Sequence, residues 1–352
     1  MAQQPGMEDQ EPNSCSECLP VPNSQENAWV PYPGLAELVP WTDIYRIGDK
    51  ITDATADGRV YKAEKKQTRD AGVLKFMYKN KDSEKLYREL HVLNNVKHPN
   101  VVGLLGVYSV PDFKQYEFVM AFAEADTDLR CMLARREGHR IGVPLVKIVA
   151  MQIAQGLEAL HRKHVLHRDL KPANILIYLD ADPMRVVIAD LARAKRVPNR
   201  RVKKKQFDKR GLAPHTPRIC TAIYSAPELL MEAGVESSQR ELEYGCSADI
   251  WSFGCIVFEM LKGAPLVLGD SHDHHSVASA VIARIGAPPK TGCLQPWLFT
   301  CRPMVGVGTV ATELLPSDAC FLEEVSLRWV PIERSIISEL LRNAWFVVRS
   351  DR

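Results

Sequence analysis

Three side chains suited to phosphoryl transfer lie close together in one short run of the chain. The run from His167 to Asn174 reads HRDLKPAN. Asp169 can accept the proton of an attacking hydroxyl, and Lys171 can lie against the transferred phosphoryl group. Asn174 offers an amide oxygen, a hard ligand of the kind that Mg²⁺ prefers. The run therefore predicts a catalytic loop for phosphoryl transfer.

Phosphoryl transfer also needs a cation on the nucleotide phosphates and a second metal ligand, and the chain carries candidates for both. Lys75 ends the β-type run AGVLK, and Glu89 follows on a predicted helix. Asp190, in the run IADLA, supplies a carboxylate after the catalytic loop. The order of these groups along the chain predicts one active site.

The motifs resemble, in the same order, those of the eukaryotic protein kinases of the serine/threonine type. HRDLKPAN is similar to their catalytic loop, and APE at 226–228 and DIWSFG at 249–254 follow it. The segment 87–102 is similar to a helix and its exit in the cyclin-dependent and mitogen-activated branch. The resemblance runs from Trp41 to the end of the chain and implies the activity of a serine/threonine protein kinase.

The resemblance also assigns residues to ATP and Mg²⁺. It implies that Lys75 holds phosphates, Glu89 orients Lys75, and Asn174 and Asp190 bind Mg²⁺. The implied lining of the nucleotide cleft is Gly58, Val60, Val73, Met120, Phe122, Ala123 and Leu176. It further implies that Glu228 pairs with Arg334 and that Asp249 holds the backbone of the catalytic loop. Lys171 together with Thr221 indicates a short hydroxyl side chain as acceptor.

The phosphate-binding loop departs from the family pattern. Gly58 matches its third glycine, but Asp53 and Thr55 occupy the first two positions. Glycines let backbone N–H groups approach phosphates closely, and an aspartate there repels them. This predicts weaker ATP binding than in kinases with three glycines.

The residues after the metal-binding aspartate also depart from the pattern. Leu191 replaces the usual Phe and keeps an apolar plug, while Ala192 replaces the usual Gly and is expected to cost backbone freedom at that turn. A pseudokinase scaffold, with weak or no ATP turnover, is therefore the alternative hypothesis.

The elements that must position these groups divide the chain into a polar leader and one two-lobed unit. Residues 1–40 are predicted to be a disordered leader, and residues 41–350 to form the kinase domain. Short β-type runs at 59–63, 72–76 and 116–122 surround a predicted helix at 82–96. We predict an α+β fold with a β-rich N-lobe, about 41–122, and a mainly helical C-lobe, about 123–350.

Composition excludes few functions but fits this assignment. The chain has 352 residues, 46% of them apolar, and a formal net charge of +2, which indicates no specific nucleic-acid partner. Nine cysteines without a disulfide pattern indicate reduced thiols. Apolar runs are too short to predict a membrane span. We expect an intracellular protein, in the cytoplasm, the nucleus or both.

The segment between Asp190 and Glu228 is long and basic. It predicts a solvated loop, with a nuclear-import signal or a dock for acidic substrates as sharper alternatives. Thr216 is placed to receive an activating phosphate from another kinase, which Arg168 could bind. Protein substrates are expected partners. Whether a cyclin-like activator is needed stays open, because Ser225 replaces an arginine typical of the cyclin-dependent branch.

Overall fold

The computed structural model describes residues 38–51, 58–79, 83–196, 222–232, 245–268, 274–286 and 309–347. Several predicted features fall outside these ranges. They include most of the leader, the loop positions Asp53 and Thr55, and the segment that carries Thr216 and Thr221.

The N-lobe is built on a five-stranded antiparallel sheet in the order β1-β2-β3-β5-β4. The strands are β1 Tyr45–Lys50, β2 Gly58–Lys65, β3 Ala71–Tyr78, β4 Leu104–Tyr108 and β5 Tyr116–Ala123. The three strands predicted from sequence lie within β2, β3 and β5, so those predictions are confirmed. The register pairs Lys75 on β3 with Met120 on β5, which brings the candidate phosphate-binding lysine beside a residue predicted to line the nucleotide cleft.

In the described ranges, one long helix, α2 Ser83–Asn95, lies against this sheet. Its apolar side chains recur at helical spacing, and Leu90, Val92 and Leu93 are buried. Tyr87 stacks on Phe118 of β5, with ring centroids 5.8 Å apart. These contacts fix the rotation of α2 about its axis and turn Glu89 inward.

The outer face of the sheet carries an aromatic cluster that begins at the end of the predicted leader. Trp41, in the short helix α1 Trp41–Ile44, packs edge-on against Phe76 with ring centroids 5.3 Å apart. Just before it, Ser109 donates its backbone N–H to the Val39 carbonyl and its hydroxyl to the Leu38 carbonyl. The described structure therefore starts slightly before residue 41, the predicted boundary.

The C-lobe is mainly helical. Its helices are α3 Leu129–Ala134, α4 Val143–Arg162, α5 Pro227–Glu232, α6 Ser247–Lys262, α7 His274–Ile285, α8 Val310–Glu313, α9 Pro316–Val325 and α10 Ile337–Leu340. Helix α6 is buried on nearly all sides and carries an apolar run from Phe253 to Phe258. Together with the sheet-based N-lobe, this confirms the predicted two-lobed α+β fold.

Helix α4 runs through the middle of the C-lobe. Val149, Ile153, Leu157 and Leu160 recur at helical spacing, which predicts one apolar stripe, and all four are fully buried. Within the described ranges, α4 is also the one helix long and apolar enough to cross a membrane by length and composition. Central helices of folded domains pass the same test, and here the apolar stripe faces the protein core.

Short strands position the catalytic groups between the lobes. They are β6 Thr127–Asp128, β7 Val165–Leu166, β8 Ile175–Tyr178, β9 Arg185–Ile188 and β10 Lys195–Arg196. β8 and β9 form an antiparallel hairpin in which Ile175 pairs with Ile188. Because paired strand ends meet, Asn174 before β8 lies beside Ala189 after β9. The hairpin therefore brings Asn174 and Asp190 to the same edge.

The loop between α2 and β4 is attached to the C-lobe by a buried amide network. Asn100 donates from Nδ2 to Gln152 Oε1 at 2.9 Å and to the Val186 carbonyl at 2.8 Å. The Asn100 carbonyl in turn accepts from the Ile188 N–H at 2.9 Å. These bonds link α2 to the strand that precedes Asp190.

Gly156 of α4 is expected to be essential for this attachment. A Cβ at position 156 would lie 2.5 Å from the Asn100 carbonyl oxygen and 2.9 Å from Ile188 Cδ1. Gly156→Ala should therefore destabilise the fold by about 2 kcal/mol. Overpacking against backbone costs up to about 3 kcal/mol, and better helix propensity returns about 1 kcal/mol. Urea unfolding measures this difference.

Gly103→Ala is the matched control for this prediction. An added Cβ at Gly103 has nothing within 4 Å. Its substitution should change the free energy of unfolding by less than about 1 kcal/mol. Equal stability of the Gly156→Ala protein and the wild type would contradict the proposed contact.

Candidate active site

The catalytic loop follows β7 and ends in a single 3₁₀ turn, Pro172–Asn174. Lys171 Nζ lies 2.9 Å from Asp169 Oδ2, and the Asp169 side chain is only 4% exposed. The Asn174 amide donates from Nδ2 to the Asp169 carbonyl at 2.8 Å. The loop thus presents a carboxylate, an ammonium and an amide oxygen, with the amide nitrogen used to hold the turn closed.

Arg168 has an unusual backbone conformation that the buried Asp249 stabilises. Its φ is 68°, a left-handed value that costs a non-glycine residue about 1–2 kcal/mol. Asp249 accepts from the N–H groups of His167 and Arg168 at 2.9 and 3.0 Å, and from His161 Nε2 at 2.9 Å. This confirms the predicted role of Asp249 in holding the loop backbone.

The charge of Asp249 is maintained in spite of its burial. Burial by itself raises the pKa of this carboxyl, but the hydrogen bond and charge of His161 and the backbone N–H of Arg168 outweigh it. The pKa of Asp249 is therefore lowered, and the group stays ionised. A charged acceptor stabilises the strained backbone beside Asp169 more strongly than a neutral one would.

Lys75, Glu89 and Asp190 form a connected ion-pair network. Lys75 Nζ lies 2.6 Å from Glu89 Oε2 and 3.2 Å from Asp190 Oδ1. The side chains of Lys75 and Glu89 are 13% and 3% exposed. The predicted pairing of Lys75 with Glu89 is confirmed, and the network joins residues on β3, on α2 and after β9.

Both ends of this network are held in their charged forms. Burial lowers the pKa of Lys75, but the charges of Glu89 and Asp190 outweigh it and raise that pKa well above its ordinary value. The Lys75 ammonium in turn lowers the pKa of Asp190 to about 2. A cation is thus available for phosphates and an anion for a metal at neutral pH.

The turn after Asp190 differs from the expectation based on its sequence. Asp190 itself takes the left-handed conformation, with φ 59°, and a 3₁₀ turn, Leu191–Arg193, begins directly after it. Leu191 is fully buried among apolar residues, as predicted for a plug. Because the positive φ lies at Asp190, position 192 needs no glycine, and the expected cost of Ala192 does not arise.

Arg193 also reaches the active site, and the sequence did not suggest a role for it. Its Nε lies 3.6 Å from Asp169 Oδ2, the oxygen that Lys171 contacts. The one hint in the sequence is that Arg193 lies three residues after Asp190. A short turn at residues 191–193 returns the chain towards the catalytic loop. That hint cannot be used without knowledge of the turn.

The residues predicted to line the nucleotide cleft lie on three strands of the N-lobe and on β8. Val60 is on β2, Val73 on β3, and Leu176 on β8, while β5 carries Met120, Phe122 and Ala123. Met120 is fully buried, and Val60, Val73 and Leu176 are half-buried. That these side chains bind the nucleotide base stays a prediction.

Gly58, at the start of β2, has a structural reason to be glycine. A Cβ at this position would collide with the backbone oxygen of Phe76 on β3. The glycine is therefore required by the close approach of two strands, whether or not it contacts a phosphate. Its sequence match to the phosphate-binding loop does not by itself indicate a nucleotide contact.

The oxygen atoms of Asn174 and Asp190 are suited to Mg²⁺. They are too few for a metal ion that is bound by protein side chains alone. Asn174 offers its amide oxygen, and Asp190 offers a carboxylate that stays ionised. In the described ranges, no group of three or more His, Cys, Asp or Glu side chains could hold a metal by itself. Mg²⁺ commonly takes one or two protein oxygens and completes its octahedron with phosphates and water.

Glu89→Gln should lower kcat/KM for ATP by about 10–100-fold. The neutral amide no longer holds the Lys75 ammonium, and misplacing a reacting group by about 1 Å costs about 100-fold. Steady-state kinetics with varied ATP measures this. Glu64→Gln, at an exposed ion pair with Arg46 in the same lobe, is the control and should leave kcat/KM unchanged. Equal kcat/KM for Glu89→Gln and wild type would show that the ion pair does not position Lys75.

Comparisons with known proteins agree with this geometry. Residues 54–346 match the family described as "Protein kinase domain". The chain is 31% identical to "Cell division control protein 2 homolog 3" of Trypanosoma brucei brucei over 318 residues, 86% of this chain and 92% of that protein. It is 30% identical to "Cyclin-dependent kinase 10" of Homo sapiens over 303 residues, 82% of this chain and 76% of that protein.

A third relative carries a name of the same class. The chain is 31% identical over 264 residues to a protein of Encephalitozoon cuniculi (strain GB-M1). The name of that protein includes the words "serine/threonine-protein kinase MRK1 homolog". The match covers 74% of each chain.

Proposed function

The chain belongs to the protein kinase family and is a serine/threonine kinase near the cyclin-dependent branch, and from this premise we propose that it transfers the γ-phosphoryl group of Mg-ATP to serine and threonine hydroxyls of proteins. One observation carries the proposal: the ion pair of Lys75 and the ion pair of Asp169, both of which phosphoryl transfer needs, are formed at the same time. Lys75 is within 2.6 Å of Glu89 and 3.2 Å of Asp190. Asp169 and Lys171 are paired at 2.9 Å in the catalytic loop.

Each side chain has a distinct part in the proposed reaction. Lys75 holds the nucleotide phosphates, and Glu89 keeps the Lys75 ammonium in place. Asp169 accepts the proton of the attacking hydroxyl, and Lys171 stabilises the negative charge on the phosphoryl group during transfer. Asn174 and Asp190 would hold Mg²⁺. When bound, the metal neutralises charge on the phosphate oxygens.

The alternative is a pseudokinase scaffold, and the described residues favour catalysis over it. Every side chain with a chemical role in the proposal is present, and the pairs Lys75–Glu89 and Lys171–Asp169 are formed. A weakened phosphate-binding loop lowers the affinity for ATP, whereas loss of Asp169 or Asp190 would remove the chemistry. The two hypotheses therefore differ in turnover.

Transfer of radiolabel from ATP to a serine- and threonine-containing peptide library tests the proposal. We expect Mg²⁺-dependent label on phosphoserine or phosphothreonine, and almost none with the Asp169→Asn protein. Equal label with both proteins, or no label with either, would reject the proposed activity. ATP binding without transfer would favour the scaffold.

Regulation and location are further parts of the proposal. We infer that a second kinase phosphorylates Thr216 and that Arg168 then binds the phosphate. Unchanged turnover of a Thr216→Ala protein, with phosphate found on the wild type, would reject this.

We also propose that the protein acts in the cytoplasm, the nucleus or both, which imaging of the tagged chain tests.

A further inference from the structure

Arg193 makes a loose contact with the proposed catalytic base. The Arg193 Nε lies 3.6 Å from Asp169 Oδ2, whereas Lys171 Nζ lies 2.9 Å from the same oxygen. A separation of 3.6 Å is too long for a hydrogen bond. Arg193 can therefore leave Asp169 without the loss of a hydrogen bond.

The backbone of Arg193 is held much more firmly than its side chain. Arg168 donates from Nε to the Arg193 carbonyl at 2.7 Å, and the Ala194 N–H closes the turn onto the Leu191 carbonyl at 3.0 Å. The Arg193 side chain is 35% exposed. The fold thus sets the position of the arginine and leaves its guanidinium access to solvent.

The Arg193 guanidinium carries several N–H donors that can bind a carboxylate. It carries five N–H groups in a planar fork. Within the ranges that the structure describes, Asp169 is the one acidic side chain that pairs with it. A carboxylate can accept two parallel hydrogen bonds from such a fork, which is a stronger arrangement than the present contact.

The ion pairs of the described residues relate Arg193 to the acceptor hydroxyl rather than to the nucleotide phosphates. The phosphate side is marked by Lys75, which contacts Asp190, and Arg193 has no ion pair with Asp190 among the described residues. Arg193 contacts Asp169 instead, the group that meets the attacking hydroxyl. Lys195 and Arg196 follow directly and add positive charge to the same segment.

We propose that Arg193 binds an acidic side chain of the protein substrate next to the hydroxyl that is phosphorylated. The inference rests on the proposed kinase function and specifies its substrate class. When the substrate carboxylate engages the fork, Arg193 moves away from Asp169 and leaves that carboxylate to the hydroxyl. Substrates with an acidic residue in this place are therefore favoured at the catalytic base.

Paired peptides test this inference. Each pair places glutamate or glutamine at one position flanking a serine, and kcat/KM is measured with phosphatase-treated protein, so that no phosphate on the chain itself supplies the anion. We expect wild type to prefer at least one glutamate peptide, and Arg193→Gln to reduce that preference by about tenfold, the size expected for one partly solvated charged pair. Arg193→Lys should keep part of it, because the charge remains but the fork is lost.

Other outcomes overturn the inference. The inference is rejected if Arg193→Gln leaves the preference for the glutamate peptide unchanged. It is also rejected if Arg193→Gln raises kcat/KM equally for both peptides, or lowers it equally for both. An equal rise in kcat/KM would indicate that Arg193 only blocks Asp169. An equal fall in kcat/KM would indicate that Arg193 acts on phosphoryl transfer itself. Arg162→Gln, at an exposed pair with Glu158, is the control for loss of one positive charge.

Failure of the proposed function gives a different result. Fluorescence anisotropy measures binding of the same labelled peptides without turnover. Absence of phosphorylation for every peptide, with Arg193-dependent binding of glutamate peptides, would reject the kinase activity alone. Phosphorylation with no effect of Arg193 on preference in either assay would reject the inference alone.

Discussion

Asp169→Asn should lower the turnover number for peptide phosphorylation by about 10²–10⁴-fold, the usual contribution of a positioned general base. Asparagine has nearly the same shape but cannot take the proton of the attacking hydroxyl. It also removes the charge that holds Lys171 at 2.9 Å, so the ammonium is less well placed on the phosphoryl group. Single-turnover and steady-state rates at saturating ATP measure the loss.

The fold should survive this substitution. The contact that closes the loop runs from the Asn174 amide to the backbone carbonyl of residue 169, which the change leaves in place. Lys171 and Arg193 both reach solvent and are not left as buried charges. Asp180→Asn, at an exposed site in the same lobe, is the control and should retain full activity. A loss of less than about tenfold for Asp169→Asn would contradict its role as base.

Glu228→Gln should destabilise the fold by about 3–5 kcal/mol, the cost of breaking a buried ion pair from one side. Arg334 donates from Nη1 and Nη2 to the two Glu228 oxygens at 2.7 and 2.8 Å, and its side chain is 0% exposed. The guanidinium also lies over the ring of Trp251, 5.1 Å from its centroid. The predicted pairing of Glu228 with Arg334 is thus confirmed, and without the Glu228 charge a buried cation remains with neutral acceptors.

Denaturant unfolding of a set of variants tests this prediction. Glu333→Gln, at an exposed residue beside Arg334, is the matched control and should be close to wild type. A double variant, Glu228→Met with Arg334→Leu, should recover part of the loss, because apolar pairs can replace buried ion pairs. Equal stability of Glu228→Gln and wild type would contradict the importance of the pair.

Much of the catalytic loop was predictable from local spacing. Asp169, Lys171 and Asn174 are separated by so few residues that one tight turn is enough to bring them together. The stripe of α4 was likewise readable from helical periodicity. The partner of Lys75 needed more, because Glu89 lies on another element, and the resemblance to kinases supplied the pairing that the structure confirms at 2.6 Å.

Other contacts could not be predicted in this way. Gly58 is glycine because β2 passes very close to β3, and Asn100 reaches Gln152 because a loop of one lobe lies on a helix of the other. Neither contact follows a sequence period or a short spacing. Both depend on how backbones far apart in the chain approach each other.

The sequence by itself determined which chemical groups are available and which of them share a turn, since both follow from residue type and local spacing. The tertiary structure alone decided that Arg193 meets Asp169 and that Asp190 faces Lys75. The length of the turn after Asp190 and the register of β8 with β9 set those distances. Electrostatic interactions depend on distance and burial, and both are properties of the folded chain.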